Sequence, residues 1–427
     1  MTDVVDPSLA YTRGCRPGIR HHFGHRDRHP RGAATRLPPP VTIGAHFPVG
    51  VTDNMLRLQI PLPERYADAS LDELSTRIHA AKQTLGERVF ILGHHYQRDE
   101  VMRWADARGD SFRLSVLAQE HPDADYIVFC GVHFMAESAD ILTGDHQQVI
   151  LPDLNAGCSM ADMADLEEVE EAWESLAHVT DISTVVPVTY MNSSAALKAF
   201  VGEHGGAVCT STNAKAVLEW ALSLGDRSTN GAGGRQVLFF PDQHLGRNTG
   251  FQLGYGDSDM RVWNPRLEMG GLGDTEAKEA TLLLWKGHCS VHQRFRPEHI
   301  ASFRAQYPGG IVVAHPECAR ETCELADQVG STDFIIRAVE ASPSGSVIGV
   351  GTEIHLVNRL NDETPDKTIV SLDPLVCPCS TMFRIDAPHL CWVLENLVAG
   401  RVVNQISVDP ATATWAKVAL DRMLSIT

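Results

Sequence analysis

The chain holds 427 residues, with 36 Lys and Arg against 54 Asp and Glu, a formal charge of −18 at neutral pH. Such an acidic chain excludes nonspecific binding along a nucleic-acid backbone, and 43% apolar with 21% charged residues excludes global disorder. No run of about 18 apolar residues occurs and the N-terminus lacks the apolar core of a secretory signal, so the sequence predicts a cytoplasmic protein with no membrane partner.

Residues 1 to 60 read as a disordered extension. The first 50 carry seven Arg, no Lys, three Asp and a Pro38-Pro39-Pro40 run, without helical or strand periodicity. Order begins at Ser70-Leu71-Asp72-Glu73, a capping box, after which Leu71, Leu74, Ile78, Ala81 and Leu85 are expected on one helical face before Gly86. Apolar runs then alternate with helix-like segments. They are Val89 to Leu92, Tyr126 to Cys130, Val149 to Leu151, Val185 to Thr189, Ala207 to Cys209, Val237 to Phe240, Ile311 to Ala314, Phe334 to Ile336, Val347 to Val350 and Thr368 to Val370. Near-continuously apolar strands separated by helices predict an α/β fold with parallel sheets covered on both faces.

Three of these strands end in similar polar residues: His94-His95-Tyr96, Tyr190-Met191-Asn192 and His315-Pro316-Glu317. Each opens a group of about three strands, and each group is followed by a cysteine in a Gly- or Pro-flanked loop, at Cys158, Cys289 and Cys379. The pattern predicts three similar three-layer αβα units in pseudo-threefold arrangement around a central site. The expected divisions are 61 to 180, 181 to 292 and 293 to 405, with a helix over 406 to 427 packing on the body. Ligands collect beyond the carboxyl ends of such strands, so His94, Tyr96, Tyr190, Asn192, His315 and Glu317 are expected to converge as proton donors and acceptors.

Ten cysteines in a chain of this kind point to metal binding or buried thiols. Cys158, Cys289 and Cys379 come from distant loops and form no compact ligand motif, so spacing alone leaves both readings open. Gly109-Asp110-Ser111, Thr210-Ser211-Thr212-Asn213 and Gly330-Ser331-Thr332 offer hydroxyls and backbone N–H groups before expected helices, where a carboxylate or phosphate binds well, although an ordinary N-cap reads the same way. No phosphate-binding loop of the G-x-x-x-x-G-K-[ST] type and no convincing G-x-G-x-x-G is present.

These segments occur together, in order, with Phe129-Cys130-Gly131-Val132-His133-Phe134-Met135-Ala136-Glu137-Ser138, Phe240-Pro241-Asp242-Gln243-His244, Gly287-His288-Cys289-Ser290-Val291-His292, Gly351-Thr352-Glu353 and Cys379-Ser380-Thr381-Met382. From about residue 75 onward the set resembles the quinolinate synthase family of NAD biosynthesis. The resemblance implies one [4Fe-4S] cluster per chain, held by Cys158, Cys289 and Cys379 with one iron open as a Lewis acid, and Cys377 is the rival third ligand. It implies a dehydrating condensation of iminoaspartate with dihydroxyacetone phosphate to quinolinate, phosphate and water, and L-aspartate oxidase as the functional partner that supplies the imine. By the same resemblance His94, Tyr96, Tyr190, His315 and Glu317 are the catalytic groups. Substrate binding falls to His94, Tyr190, His315 and Glu317 with Ser111, Asn192, Ser211, His292, Ser331 and Thr332. Two readings from other classes share the cysteines: a noncatalytic iron-sulfur or zinc sensor, and a hydro-lyase acting on another hydroxy acid. Redox pairing of Cys318 with Cys323, or of Cys377 with Cys379, is not expected.

Overall fold

Helix Leu71–Leu85 shows why these residues fold locally as they do. The Ser70 hydroxyl accepts the Glu73 N–H, Leu74, Ile78, Ala81 and Leu85 are buried at helical spacing, and Gly86 ends the helix at a φ of 56°. Leu71, expected on the buried face, is instead 54% exposed, because a first-turn residue lies beyond the edge of the surface the helix covers. The computed structural model describes residues 59–224, 236–375 and 378–426, all within one unit, Val51–Thr427. The expected disordered extension lies outside them apart from its last two residues.

The strands in chain order are β1 Val89–His94, β2 Ala107–Gly109, β3 Tyr126–Cys130, β4 Gln148–Ile150, β5 Val185–Tyr190, β6 Ala207–Cys209, β7 Gln236–Phe240, β8 Met260–Trp263, β9 Leu282–Trp285, β10 Ile311–Ala314, β11 Gln328–Val329, β12 Val347–Gly351, β13 Thr368–Ser371 and β14 Gln405–Ile406. They form three sheets, ordered β14-β4-β3-β1-β2, β6-β5-β7-β9-β8 and β11-β10-β12-β13. Within each, the first strand lies between the second and the third, so the chain winds outward in both directions from it. Pairing is parallel among the described residues except for β14 against β4. The architecture is α/β with three parallel-sheet units, as the strand pattern predicted.

Both faces of these strands are covered. Along β10, Val312 and Ala314 belong to one buried cluster and Val313 to another, the alternation a pleated strand imposes. One expected strand, Phe334 to Ile336, is wrong: it lies in helix Thr332–Ala341, capped by the Ser331 hydroxyl, with Ile335 and Val339 buried four residues apart. A short apolar run fits either structure, and here the cap and the i, i+4 spacing decide.

Helix Pro410–Ser425, started by Asp409 accepting the Ala411 and Thr412 N–H groups, packs along helix Ala195–Glu203. Helix Ala387–Val398 packs on Leu71–Leu85, where Glu395 binds Arg77 at 2.8 Å and accepts the Tyr66 hydroxyl at 2.7 Å. Gly202 permits the first contact, since a Cβ there would fall inside van der Waals reach of the Trp415 carbonyl. Gly202→Ala is therefore expected to cost about 1–3 kcal/mol through overpacking. Denaturant unfolding measures this, and a loss below about 0.5 kcal/mol would mean that helix Pro410–Ser425 yields freely.

Candidate active site

The first strand of each sheet carries its polar ending to the place where the winding reverses, the usual position of a ligand crevice. From β1 come His94 and Tyr96, from β5 Tyr190 and Asn192, and beyond β10 His315 and Glu317, and all six border one cleft. The second strand of each sheet brings a hydroxyl to the same cleft at or near a helix start: Ser111 after β2, Ser211 after β6 and Thr332 after β11. Each unit adds a thiol, Cys158, Cys289 or Cys379.

Glu317, 3% exposed, is the hub. Its Oε1 accepts the Tyr190 hydroxyl at 2.6 Å, and its Oε2 lies 2.9 Å from Nδ1 of His292. Nε2 of His292 lies 3.1 Å from the Thr352 hydroxyl, which is 2.9 Å from the Tyr96 hydroxyl, itself 3.1 Å from Thr332. The network thus runs through all three units. His315 stacks on His292 with centroids 4.4 Å apart.

His94 and His315 sit in matching turns. The Tyr96 N–H donates to Nδ1 of His94 at 3.1 Å, and the Glu317 N–H to Nδ1 of His315 at 3.3 Å. A backbone N–H can only donate, so Nδ1 is the acceptor in each and the proton of the neutral ring sits on Nε2. Burial, helped by neighbouring histidines, pulls both rings down to about 3. At neutral pH each is an uncharged N–H donor.

Residues 76–425 match the family described as quinolinate synthetase A protein, NadA. The quinolinate synthase of Corynebacterium glutamicum is 57% identical over 365 residues, covering 86% of this chain and 90% of that protein. That of a Nocardioides species is 56% identical over 376 residues, covering 88% and 95%. That of a Geobacillus species is 51% identical over 381 residues, covering 88% of this chain and 100% of the relative. The chain belongs to the quinolinate synthase family. It is therefore an enzyme of NAD biosynthesis. Among the described residues no helix is long and apolar enough to cross a membrane.

In this quinolinate synthase family member the expected residues fall in the cleft with one exception. Ser331 is buried and spends its hydroxyl on the Phe334 N–H, so it caps a helix while its neighbour Thr332 lines the cleft. Cys377 lies outside the described residues. Thr210, within the expected anion-binding segment, also lines the cleft, and sequence reasoning missed Thr352 as a site group. Thr352 directly follows β12, so the strand-end signal that found His315 could have found it.

The three cleft thiols suit a metal group. Burial raises Cys158 to about 12 and pushes Cys289 and Cys379 up as well, and each of the first two is raised further by its fellow thiols. Thiols held protonated in this way become thiolates beside a cation. Among the described residues the other cysteines, 130, 209, 318, 323 and 391, are buried and free and do not line the cleft, which leaves a three-thiol set. Cys289, His292 and Glu317 also cluster within 4.8 Å. Both ring nitrogens of His292 are already occupied by Glu317 and Thr352, however, so the three-thiol set is the better donor set.

Burial and then Glu317 push the Tyr96 and Tyr190 phenols well above their ordinary range, so both keep their protons. Burial alone would raise Glu317, but His292, His315 and the Tyr190 hydroxyl outweigh it and hold the carboxyl below its usual range. These directions fix the response to acid. The unfolded chain protonates histidine near 6.5 while the folded rings resist to about 3, so stability is full above about pH 6.5 and falls below it. The loss is up to about 1.4 kcal/mol per pH unit for each ring, and Glu317 adds to it below about pH 4.5. Denaturant unfolding at pH 7.5, 6 and 5 should show the decline, made shallower by His94→Gln; a flat profile would mean that the rings charge inside the fold.

Proposed function

We propose that the chain condenses iminoaspartate with dihydroxyacetone phosphate to give quinolinate, phosphate and water, with Cys158, Cys289 and Cys379 holding a single [4Fe-4S] cluster. The observation that carries this is one cleft bordered by three thiols and by the Tyr190–Glu317–His292 network. Such a cluster supplies an iron left open to a substrate oxygen, a Lewis acid for loss of water and not an electron carrier.

The chain's own groups divide the remaining work. Glu317, a carboxylate at neutral pH, is the proton acceptor for the carbon acids formed along the route, with Tyr190 and His292 holding its two oxygens. His315, stacked on His292, presents a neutral N–H donor for a developing oxyanion, and His94 does the same from the first unit. Tyr96, tied to Thr332 and Thr352 through its hydroxyl, serves the isomerisation of the triose-derived portion. Ser111, Ser211, Thr332 and Asn192 receive the carboxylates and phosphate through hydroxyl, amide and helix N-terminal N–H groups. The buried Oδ1 of Asn192 lacks a protein partner and awaits a donor. Ser331, its oxygen capping the helix that presents Thr332, completes this anion-binding helix start.

The reading extends to units of 61 to 180, 181 to 292 and 293 to 405 with a terminal helical segment, to a cytoplasmic site of action, and to L-aspartate oxidase as the source of the imine.

Anaerobic purification with iron and sulfide counted per chain, followed by a quinolinate assay, tests the core of this. About four irons are expected, lost together with activity in each of Cys158→Ser, Cys289→Ser and Cys379→Ser; stoichiometric zinc in place of iron would overturn the reading. With the iron retained, Glu317→Gln should lower kcat by about 10²- to 10⁴-fold, and unchanged turnover would remove Glu317 from the chemistry.

A further inference from the structure

Lys198 has no exposed surface at all, although it sits in helix Ala195–Glu203 of a chain with solvent on many sides. A buried ammonium is costly unless its charge and its N–H groups are met. Here its Nζ donates to the Ser193 carbonyl and lies 5.4 Å from the centre of the Phe134 ring. A group of opposite charge nearby is Glu137, 7% exposed, on helix His133–Leu142 that follows β3 of the first sheet, and both reach the same short segment of chain. Burial alone would raise the Glu137 carboxyl, but His133 and Lys198 outweigh it and keep it ionised. Glu137 also accepts the Ala195 N–H through Oε2 at 3.1 Å, and its Oε1 lies 3.3 Å from Nδ1 of His133.

The segment these two groups grip is the turn between β5 and helix Ala195–Glu203. The turn has few bonds of its own: Met191 N–H to the Cys209 carbonyl at 2.7 Å, Ser193 N–H to the Met191 carbonyl at 2.9 Å, and the Ser193 hydroxyl to the Tyr190 carbonyl at 2.8 Å. Lys198 holds the Ser193 carbonyl and Glu137 the Ala195 N–H, one from inside the second unit and the other from the first. On the opposite side of the turn Tyr190 reaches Glu317, and Asn192 borders the cleft with an unpartnered oxygen. Phe134, beneath Lys198, borders the cleft as well.

We propose that Lys198 and Glu137 form a buried positioning pair that fixes the Tyr190-to-Ala195 turn, and through it Asn192 and the Tyr190 hydroxyl, against the cleft. Neither residue touches substrate. The Ser193 carbonyl and the Ala195 N–H are held by groups of opposite charge from two units, so the turn cannot shift without breaking one of these buried bonds. The kinetic consequences rest on the proposed condensation; the geometry does not.

The test compares Lys198→Met, Glu137→Gln and the double variant, each loaded with iron and sulfide. Lys198→Met leaves the buried Glu137 to His133 alone among charged groups, and Glu137→Gln takes a carboxylate away from the buried ammonium, so each single variant is expected to lose stability. The double variant removes both charges and should melt close to the wild type, as replaced buried pairs often do. Its kcat/KM should nevertheless stay about 100-fold down, with KM for dihydroxyacetone phosphate raised, because a catalytic group displaced by about 1 Å loses rate on that scale. Amide hydrogen exchange over residues 190 to 195 should be faster in the double variant while the β-sheet amides keep wild-type protection. A double variant with wild-type KM, turnover and exchange would reduce the pair to charge compensation and overturn the proposal. Exchange reads the turn whatever reaction the cleft hosts: a wild type that forms no quinolinate would end the functional reading, while the exchange pattern would still decide for or against the pair.

Discussion

A carboxylate only 3% exposed gives up hydration worth several kcal/mol, and it stays charged only where other groups supply the lost hydrogen bonds. Glu317 draws that supply from residues far away in sequence. Tyr190 lies 127 residues before it, and His292, 25 residues before, passes the chain of bonds on to Thr352 and so to Tyr96 of the first unit. The interaction therefore does more than tune one acid. It ties the polar ends of three sheets to one another, and a unit that moved away would leave a buried charge unmet.

The repeated sheet order explains why the same kinds of residue recur. In every sheet the first strand sits between the second and third, and the connections leave it in opposite directions. The crevice this creates receives one pair of side chains from the end of the first strand and a hydroxyl from the end of the second. Three such crevices turned toward one centre make a cleft with six acid-base or hydrogen-bonding groups and three small hydroxyls, none taken from a long flexible loop. Equivalent turns also produce equivalent chemistry: His94 and His315 each receive the N–H of the residue two positions on, and each is left as a neutral Nε2–H donor.

Much of this could be read from the residues because fully covered parallel strands are written as apolar runs that end abruptly in polar groups. Tyr126–Cys130, Ala207–Cys209 and Ile311–Ala314 are strands over the spans their apolar residues predict. Short edge strands carry no such mark. Ala107–Gly109 has an exposed Arg108 at its centre, and Gln328–Val329 and Gln405–Ile406 hold two residues each, so their existence depends on a neighbour's free edge more than on their own composition. Leu282–Trp285, by contrast, is a strand buried along its whole length, apolar like the others although absent from the expected runs. The Ser331 and Thr332 pair shows the limit at the site itself. Both are hydroxyls at one helix start, and which of them caps the helix and which faces the cleft is set by a single residue of phase.

The proposed substrates are anions, and the cleft shows what an acidic chain can offer them. None of the side chains bordering it among the described residues is Lys or Arg. Apart from His292, whose ring is bound to Glu317 and Thr352, its donors are neutral: two Nε2–H histidines, two tyrosines that keep their protons, an asparagine, and hydroxyls beside helix starts. Neutral donors give direction and tolerate burial at little cost, but they do not cancel charge, and Glu317 adds a negative one. Three thiols that burial keeps protonated are the one donor set in the cleft that a cationic group would both satisfy and ionise. The chemistry of the cysteines thus points to a cationic group on its own account, beside the sequence relationship that points the same way.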